Sequence, residues 1–225
     1  LRDSGVAGIG RASEGERGDS SQQLGSADPV ETLREFLQQS NNHFPELEDA
    51  ADRISDDLHM GSEGGFLAIV ARLQNRHNIR VQVLPVDVMG TMLKRFDLHR
   101  RKLMFSELLE PSGRVFQAAF HLVLAEAGPL LDRLAATASP HAPTQKLARI
   151  MLANYLAAAV MMPYQDFYAA AEQLGYDVDV LASRFSTSYE QVAHRLTTLA
   201  RPSALRTAIA WSSVRKASAT AGSNA

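Results

Sequence analysis

Seven histidines stand at positions 43, 59, 77, 99, 121, 141 and 194, and no two of them are four residues apart. That spacing matters because a zinc peptidase carries His-Glu-x-x-His on a helix. Two imidazoles one turn apart then hold the metal, and the glutamate between them activates water. The pattern is absent, and His121 is alone on an apolar helix, where a packed or hydrogen-bonded imidazole is the commoner arrangement. The chain has no cysteine, so it has no thiolate metal site, disulfide or thiol nucleophile. There is no Gly-x-Ser-x-Gly elbow, and no glycine-rich phosphate loop.

Two other groupings carry chemistry. Phe116, Phe120, Leu124, Met151, Tyr155, Met161, Met162, Tyr164 and Phe167 are large or adaptable apolar groups on helical stretches. Such a wall suits a flexible apolar ligand, since methionine conforms to it, and equally suits a plain core. Arg95, Arg100, Arg101, Lys102 and Arg114 form a basic cluster beside it in sequence, able to bind a diphosphate or simply to solvate a hairpin. A third feature is the stretch Leu181–Leu196, two short amphipathic helices around Ser186-Thr187. It has the cadence of a helix-turn-helix with Tyr189, Gln191, His194 and Arg195 on its second helix, or of a helical hairpin docked on a core.

The elements that must position these groups follow from periodicity. Asp28-Pro29 opens a helix with Leu33, Phe36 and Leu37 inward. A second, from Glu46 to Met60, is stopped by Gly61 and turns its acids to solvent. A third covers Gly65–His77. The period then changes to two. Ile79–Leu84, Thr91–Phe96 and Lys102–Ser106 read as three strands, the last two a hairpin, forming a small antiparallel sheet. Helices are expected over Ser112–Ala136, bent near Pro129, then over Thr144–Met162, Tyr164–Leu174, Asp177–Phe185 and Ser188–Ala200. The fold class is therefore α+β, mostly helical.

The chain has 225 residues and a formal net charge of -2, enough for one domain with flexible ends. Residues 1–27, rich in Gly, Ser and charge, read as a disordered linker, and the stretch from residue 203 to 225 as a disordered tail. The first residue is Leu1 rather than Met, which reads as part of a longer protein. No apolar run reaches the ~18 residues of a membrane span.

Taken in order, Arg114-Val-Phe-Gln-Ala-Ala-Phe-His-Leu-Val-Leu124, Ala153-Asn-Tyr-Leu-Ala-Ala-Ala-Val-Met-Met-Pro163 and Leu181-Ala-Ser-Arg-Phe through Leu196-Thr-Thr-Leu199 resemble the ImmA/IrrE-type metallopeptidase domain. More closely, they resemble the central domain of the short-chain fatty acyl transcriptional regulators, which govern propionate and acetate metabolism in bacteria. The resemblance covers about residues 28–202. It implies a zincin-like helical core in a cytoplasmic, non-enzymatic sensor. The peptidase His-Glu-x-x-His falls on Phe120, His121, Leu122, Val123 and Leu124, so both zinc histidines and the glutamate are replaced and no metal is expected. The family further implies a short-chain acyl-CoA effector, with no other cofactor. It also implies DNA bound through an N-terminal helix-turn-helix domain that this sequence lacks, no membrane partner, and room for a homo-oligomer. Helix facing and side-chain chemistry then assign Phe116, Phe120, His121, Leu124, Tyr155 and Met162 to the acyl and pantetheine wall. Arg100, Arg101 and Arg114 are assigned to the phosphates. The family continues past Pro202 into a cysteine-bearing domain; here the sequence departs from it at Ser203, as a truncated or frame-shifted end would. A zinc peptidase and a DNA-binding module on residues 181–199 are the alternatives.

Overall fold

The structure, a computed structural model, describes residues 28–60 and 65–199. The segments read as linker and tail, and the Gly61 stop, lie outside the described residues.

Helix α1 (Pro29–Gln39) starts where Asp28 caps it, its Oδ1 accepting from the Val30 N–H at 3.0 Å. None of its residues is fully buried; Leu33, Phe36 and Leu37 only lean on the core. Asn41 and Asn42, both at positive φ, turn the chain into α2 (Pro45–Leu58). α2 ends at His59 in the left-handed region, φ 54°, two residues before the expected glycine. α3 (Gly65–His77) follows, with Ile69 and Leu73 inward.

The strands are β1 (Arg80–Leu84), β2 (Lys94–Asp97) and β3 (Lys102–Ser106), with the one-turn helix α4 (Val86–Met89) after β1. The expected antiparallel sheet is instead mixed. The order is β1-β3-β2; β2 and β3 form the antiparallel hairpin, while β1 runs parallel to β3. The reason lies in burial and in the connection. Leu103 and Phe105 are the most apolar strand positions and are fully buried, so β3 takes the centre. The α4 crossover then carries the chain past β3 to its far edge, and β2 returns from there.

The long helix expected over Ser112–Ala136 is two helices. α5 (Pro111–Glu126) stops at Ala127, and α6 (Gly128–Ala138) carries Pro129 in its first turn, where a missing N–H costs nothing. α7 (Ala142–Met161) is the central strut and packs against α1, α2, α5, α6 and α10 (Tyr189–Leu196). Its buried side is rich in small residues: Ala148, Ala153, Ala157 and Ala159 let neighbouring helices approach, and Leu152, Leu156 and Val160 fill between them. Each buried Leu or Val contributes about 1.5–3 kcal/mol. At Pro163 the chain bends by 65° into α8 (Tyr164–Gln173), and α9 (Val178–Phe185) pairs with α10. Among the described residues no single helix is long and apolar enough to cross a membrane.

Candidate functional site

α7 is apolar nearly all round, so the side turned away from α2, α5 and α6 still presents Leu147, Ile150 and Met151. These residues form the floor of a groove of about 820 Å³. α1 supplies one wall through Val30, Leu33 and Leu37, and Phe44 and Phe116 lie deeper. The far end is polar, with Asn42, Asn154, His194 and Thr197. Ile150 is 49% exposed and Leu147 44%, an unusual cost for neighbouring apolar side chains unless something covers them.

Beneath the polar end lies a buried ionic knot. Arg195 and Glu48 are each 1% exposed. The guanidinium meets the carboxylate fork to fork, Nη1 to Oε1 at 2.7 Å and Nη2 to Oε2 at 2.8 Å. Its Nε donates to the Met162 carbonyl at 2.9 Å, satisfying a group freed where α7 ends, and Nη1 also reaches Thr198 Oγ1 at 2.9 Å. The Tyr155 hydroxyl donates to Glu48 Oε1 and accepts weakly from the Phe44 N–H at 3.4 Å. Burial pushes the Glu48 carboxyl up; the hydrogen bonds and charge of Arg195 outweigh it, and the net shift is downward. Burial, then Glu48, raises the Tyr155 phenol.

One turn along α5 from Phe116 the setting differs. The His121 ring lies 4.8 Å from the Phe96 ring and 5.7 Å from the Phe120 ring. Its Nε2 is buried with no hydrogen-bond partner among the described residues. Burial, and then the charge of Lys94, push its pKa down to about 4. Lys94 Nζ donates to Gln117 Oε1 at 2.6 Å and sits 5.4 Å from the centre of the Phe120 ring.

The sequence-derived ligand residues are therefore divided. Phe116 and Tyr155 meet at the groove, with Met151 between them in the lining. Phe120 and His121 lie under β2, Leu124 is half-buried against the core, and Met162 is fully buried at the end of α7. None of Arg100, Arg101 and Arg114 is in the groove lining. Arg114 ties down the loop before α5, donating to the carbonyls of Leu109 at 2.7 Å and Glu107 at 2.8 Å. The Arg101 Nη1 donates to the His77 carbonyl at 2.8 Å, and the Arg100 backbone N–H donates to Asp97 Oδ1 at 2.9 Å.

One expectation is corrected, and of the two readings left open for residues 181–199 the docked hairpin is the one found. The acids of α2 are not all solvated: Glu48 faces inward. It falls on the stripe of Leu47, Ala51, Ser55 and Leu58, a helical phase legible in the sequence. The 181–199 segment does not present a reading face of Tyr189, Gln191, His194 and Arg195. Arg195 is spent on Glu48, and Gln191 closes a capping box with Ser188. It is a helical hairpin docked on the core.

A helical body around α7, flanked by a small mixed sheet, with an open groove and a packed α5, defines the class: a mostly helical α+β domain. The profile of the IrrE N-terminal-like domain (Peptidase M78) matches residues 74–197, and the chain belongs to that family. It is 36% identical over 176 residues to the HTH-type transcriptional regulator RamB of Mycobacterium tuberculosis H37Rv, covering 78% of this chain and 37% of the relative. It is 35% identical over 175 residues to the HTH-type transcriptional regulator PrpR of the same strain, covering 77% and 36%. It is 31% identical over 182 residues to the propionyl-CoA carboxylase regulator of Cereibacter sphaeroides, covering 78% and 37%. The chain thus spans little more than a third of these curated relatives. A solved structure, a Mycobacterium tuberculosis transcriptional regulator, superposes with a TM-score of 0.73 at 34% identity, covering 78% of this chain and 53% of that one.

The family name implies a metal, and α5 does not fit one. Its single imidazole packs between two phenyl rings beside a cation, and no group of three or more His, Asp or Glu among the described residues is placed to hold an ion.

Proposed function

We propose that this chain is the effector-sensing domain of a bacterial transcriptional regulator of short-chain fatty acid metabolism, the propionate and acetate class. In this reading it binds a short-chain acyl-CoA and catalyses no reaction. The observation that carries the reading is the groove. Its volume of about 820 Å³ lies in the range of small-molecule pockets, and an apolar trough ending in amides and hydroxyls suits an acyl-pantetheine. Homology to regulators supports it from a second side.

Phe116 and Tyr155 are the contacting wall. Phe120, His121, Leu124 and Met162 belong to the packing of α5 and α7, and Arg100, Arg101 and Arg114 are the proposed phosphate cations, of which Arg101 and Arg114 must first release the carbonyls they hold. DNA is reached through a part of the regulator beyond this sequence, in the cytoplasm, and the core keeps a peptidase-like layout without its metal.

The test is a thermal-shift series with free CoA, acetyl-CoA, propionyl-CoA and longer acyl-CoAs. A ligand at about 100 times its dissociation constant adds about 2.7 kcal/mol if it binds only the folded state. The Tm should rise with chain length to an optimum. Ile150→Arg, at a half-exposed groove position, should abolish the shift and keep the fold. No shift in the folded parent protein rejects the reading.

A further inference from the structure

We propose that the open face of the β-sheet is a contact surface for the phosphate backbone of duplex DNA. The proposal rests on the regulator reading and adds to it a second place where DNA is touched.

Cross-strand partners point to the same side of a sheet. The register places Arg80, Lys102 and Asp97 in one row, and Gln82, Met104 and Arg95 in the next. Arg80, Gln82 and Arg95 are exposed and Lys102 partly so, whereas Leu103 and Phe105, on the opposite face, are fully buried. This side of the sheet therefore looks outward. The turn between β2 and β3 adds Arg100 and Arg101 at its edge, both exposed.

Five of the ten Lys and Arg on the described helices are balanced by a carboxylate, against none of the cations on this face. Arg34, Arg72, Arg133, Arg149 and Arg195 each pair with a carboxylate. No ion pair among the described residues uses Arg80, Arg95, Arg100, Arg101 or Lys102. Asp97 is the only carboxylate on the strands of this face, and one of its oxygens is taken by the Arg100 backbone N–H. Residues 76–102 carry seven Lys and Arg against two acids, in a chain whose formal charge is -2.

The chemistry selects the partner. Two guanidiniums and one ammonium, spread over rows about 6–7 Å apart and strands about 4.8 Å apart, present separate donors suited to phosphate oxygens repeated along a polymer. The face carries no aromatic ring on which an unpaired base would stack, so single strands are disfavoured. Leu98 is the one large exposed apolar side chain at the hairpin tip, too little to insert into a bilayer. What remains is sequence-independent contact with a duplex backbone, which fixes position and adds affinity without reading bases.

The experiment is fluorescence anisotropy of this chain with a random-sequence 30-bp duplex between about 50 and 200 mM salt. The native chain is compared with Arg80→Ala/Arg95→Ala/Lys102→Ala, and with a charge-matched control, Arg53→Ala/Lys146→Ala/Arg184→Ala, on exposed helical positions. Melting curves confirm that both variants fold. Binding should be salt-sensitive, unchanged in the control, and at least tenfold weaker in the sheet variant. The slope of log affinity against log salt should be shallower by about 2.7, from three lost phosphate contacts at about 0.9 each. No salt-sensitive binding at 50 mM, equal loss in the control, or preference for anionic phosphatidylserine vesicles over DNA overturns it. Acyl-CoA thermal shifts on the sheet variant separate the two readings. If that variant alone loses the acyl-CoA shift, the cations belong to the ligand's phosphates and the DNA contact is rejected. If acyl-CoA never shifts the native chain but DNA binding behaves as stated, the sheet proposal stands without the sensor.

Discussion

Two polar sites, both on helices that pack against α7, are buried and treated in opposite ways. Under the groove, Glu48 and Arg195 are both ionised and hold each other fork to fork, with the Met162 carbonyl, Thr198 and Tyr155 as further partners. Under β2, His121 is kept neutral among rings, with one nitrogen unpaired. The difference teaches what each site is for. A charge can be buried when the second charge and its hydrogen bonds are delivered by distant elements, and the pair then fixes how those elements dock. Here it joins α2, α7 and α10. An imidazole without a partner fixes nothing; its neutral form costs less to bury than the imidazolium, and the ring serves as packing on α5.

The harshest way to break the comparison is Glu48→Ala. It strands a guanidinium in the core and should cost about 3–5 kcal/mol, read as a lower urea midpoint with α10 losing amide protection first. Loss of under 1 kcal/mol would mean that the knot is not closed in solution.

Next comes acid. The His121 pKa is depressed from 6.5 to about 4, so the unfolded chain binds the proton first. The stability this imidazole contributes is complete above pH 6.5 and is lost as pH falls through about 4, on the order of 2–3 kcal/mol. Glu48, also depressed, contributes stability present above its ordinary value of 4.5 and lost below it, so the two limbs are sequential. His121→Leu should flatten the pH 6.5–4 limb of the stability curve and leave the lower limb in place. An unchanged slope would show that the ring already has a partner.

The mildest change is Tyr155→Phe. Glu48 keeps Arg195 and loses one donor, so chemical denaturation should register about 1 kcal/mol. A cost matching Glu48→Ala would make the phenol, not the guanidinium, the centre of the knot.

Sequence alone carried the helical order except for the break between α5 and α6, because α1 to α3 and α5 to α10 each repeat apolar residues at helical spacing, and it carried the family through three stretches of α5, α7 and α9–α10. It missed what depends on partners distant in sequence. Strand direction was one case: the pattern of Val81 and Val83 says strand but not which neighbour, and the burial of Leu103 and Phe105 decided that. The groove was another. Leu33 reads as an inward position, and Leu147 and Ile150 gain their meaning only once α1 and α7 are placed and their apolar sides are left facing open space. Phe116 and Tyr155 stand on strongly apolar helices and line the groove; a ligand role for them is the proposal made above. Arg195 was misread because an arginine on a short amphipathic helix ordinarily faces water. Glu48 was legible in principle, from its phase on α2.

The 147 residues between Glu48 and Arg195 also set an order of events during synthesis. At about 5–20 residues per second, α2 leaves the ribosome several seconds before its guanidinium exists. Through that interval the Glu48 side chain must stay in water, and the α2–α7 contact beside it cannot fully dry. The last of the described helices is thus the one that permits α2 to settle, so the core closes late and from its two ends together.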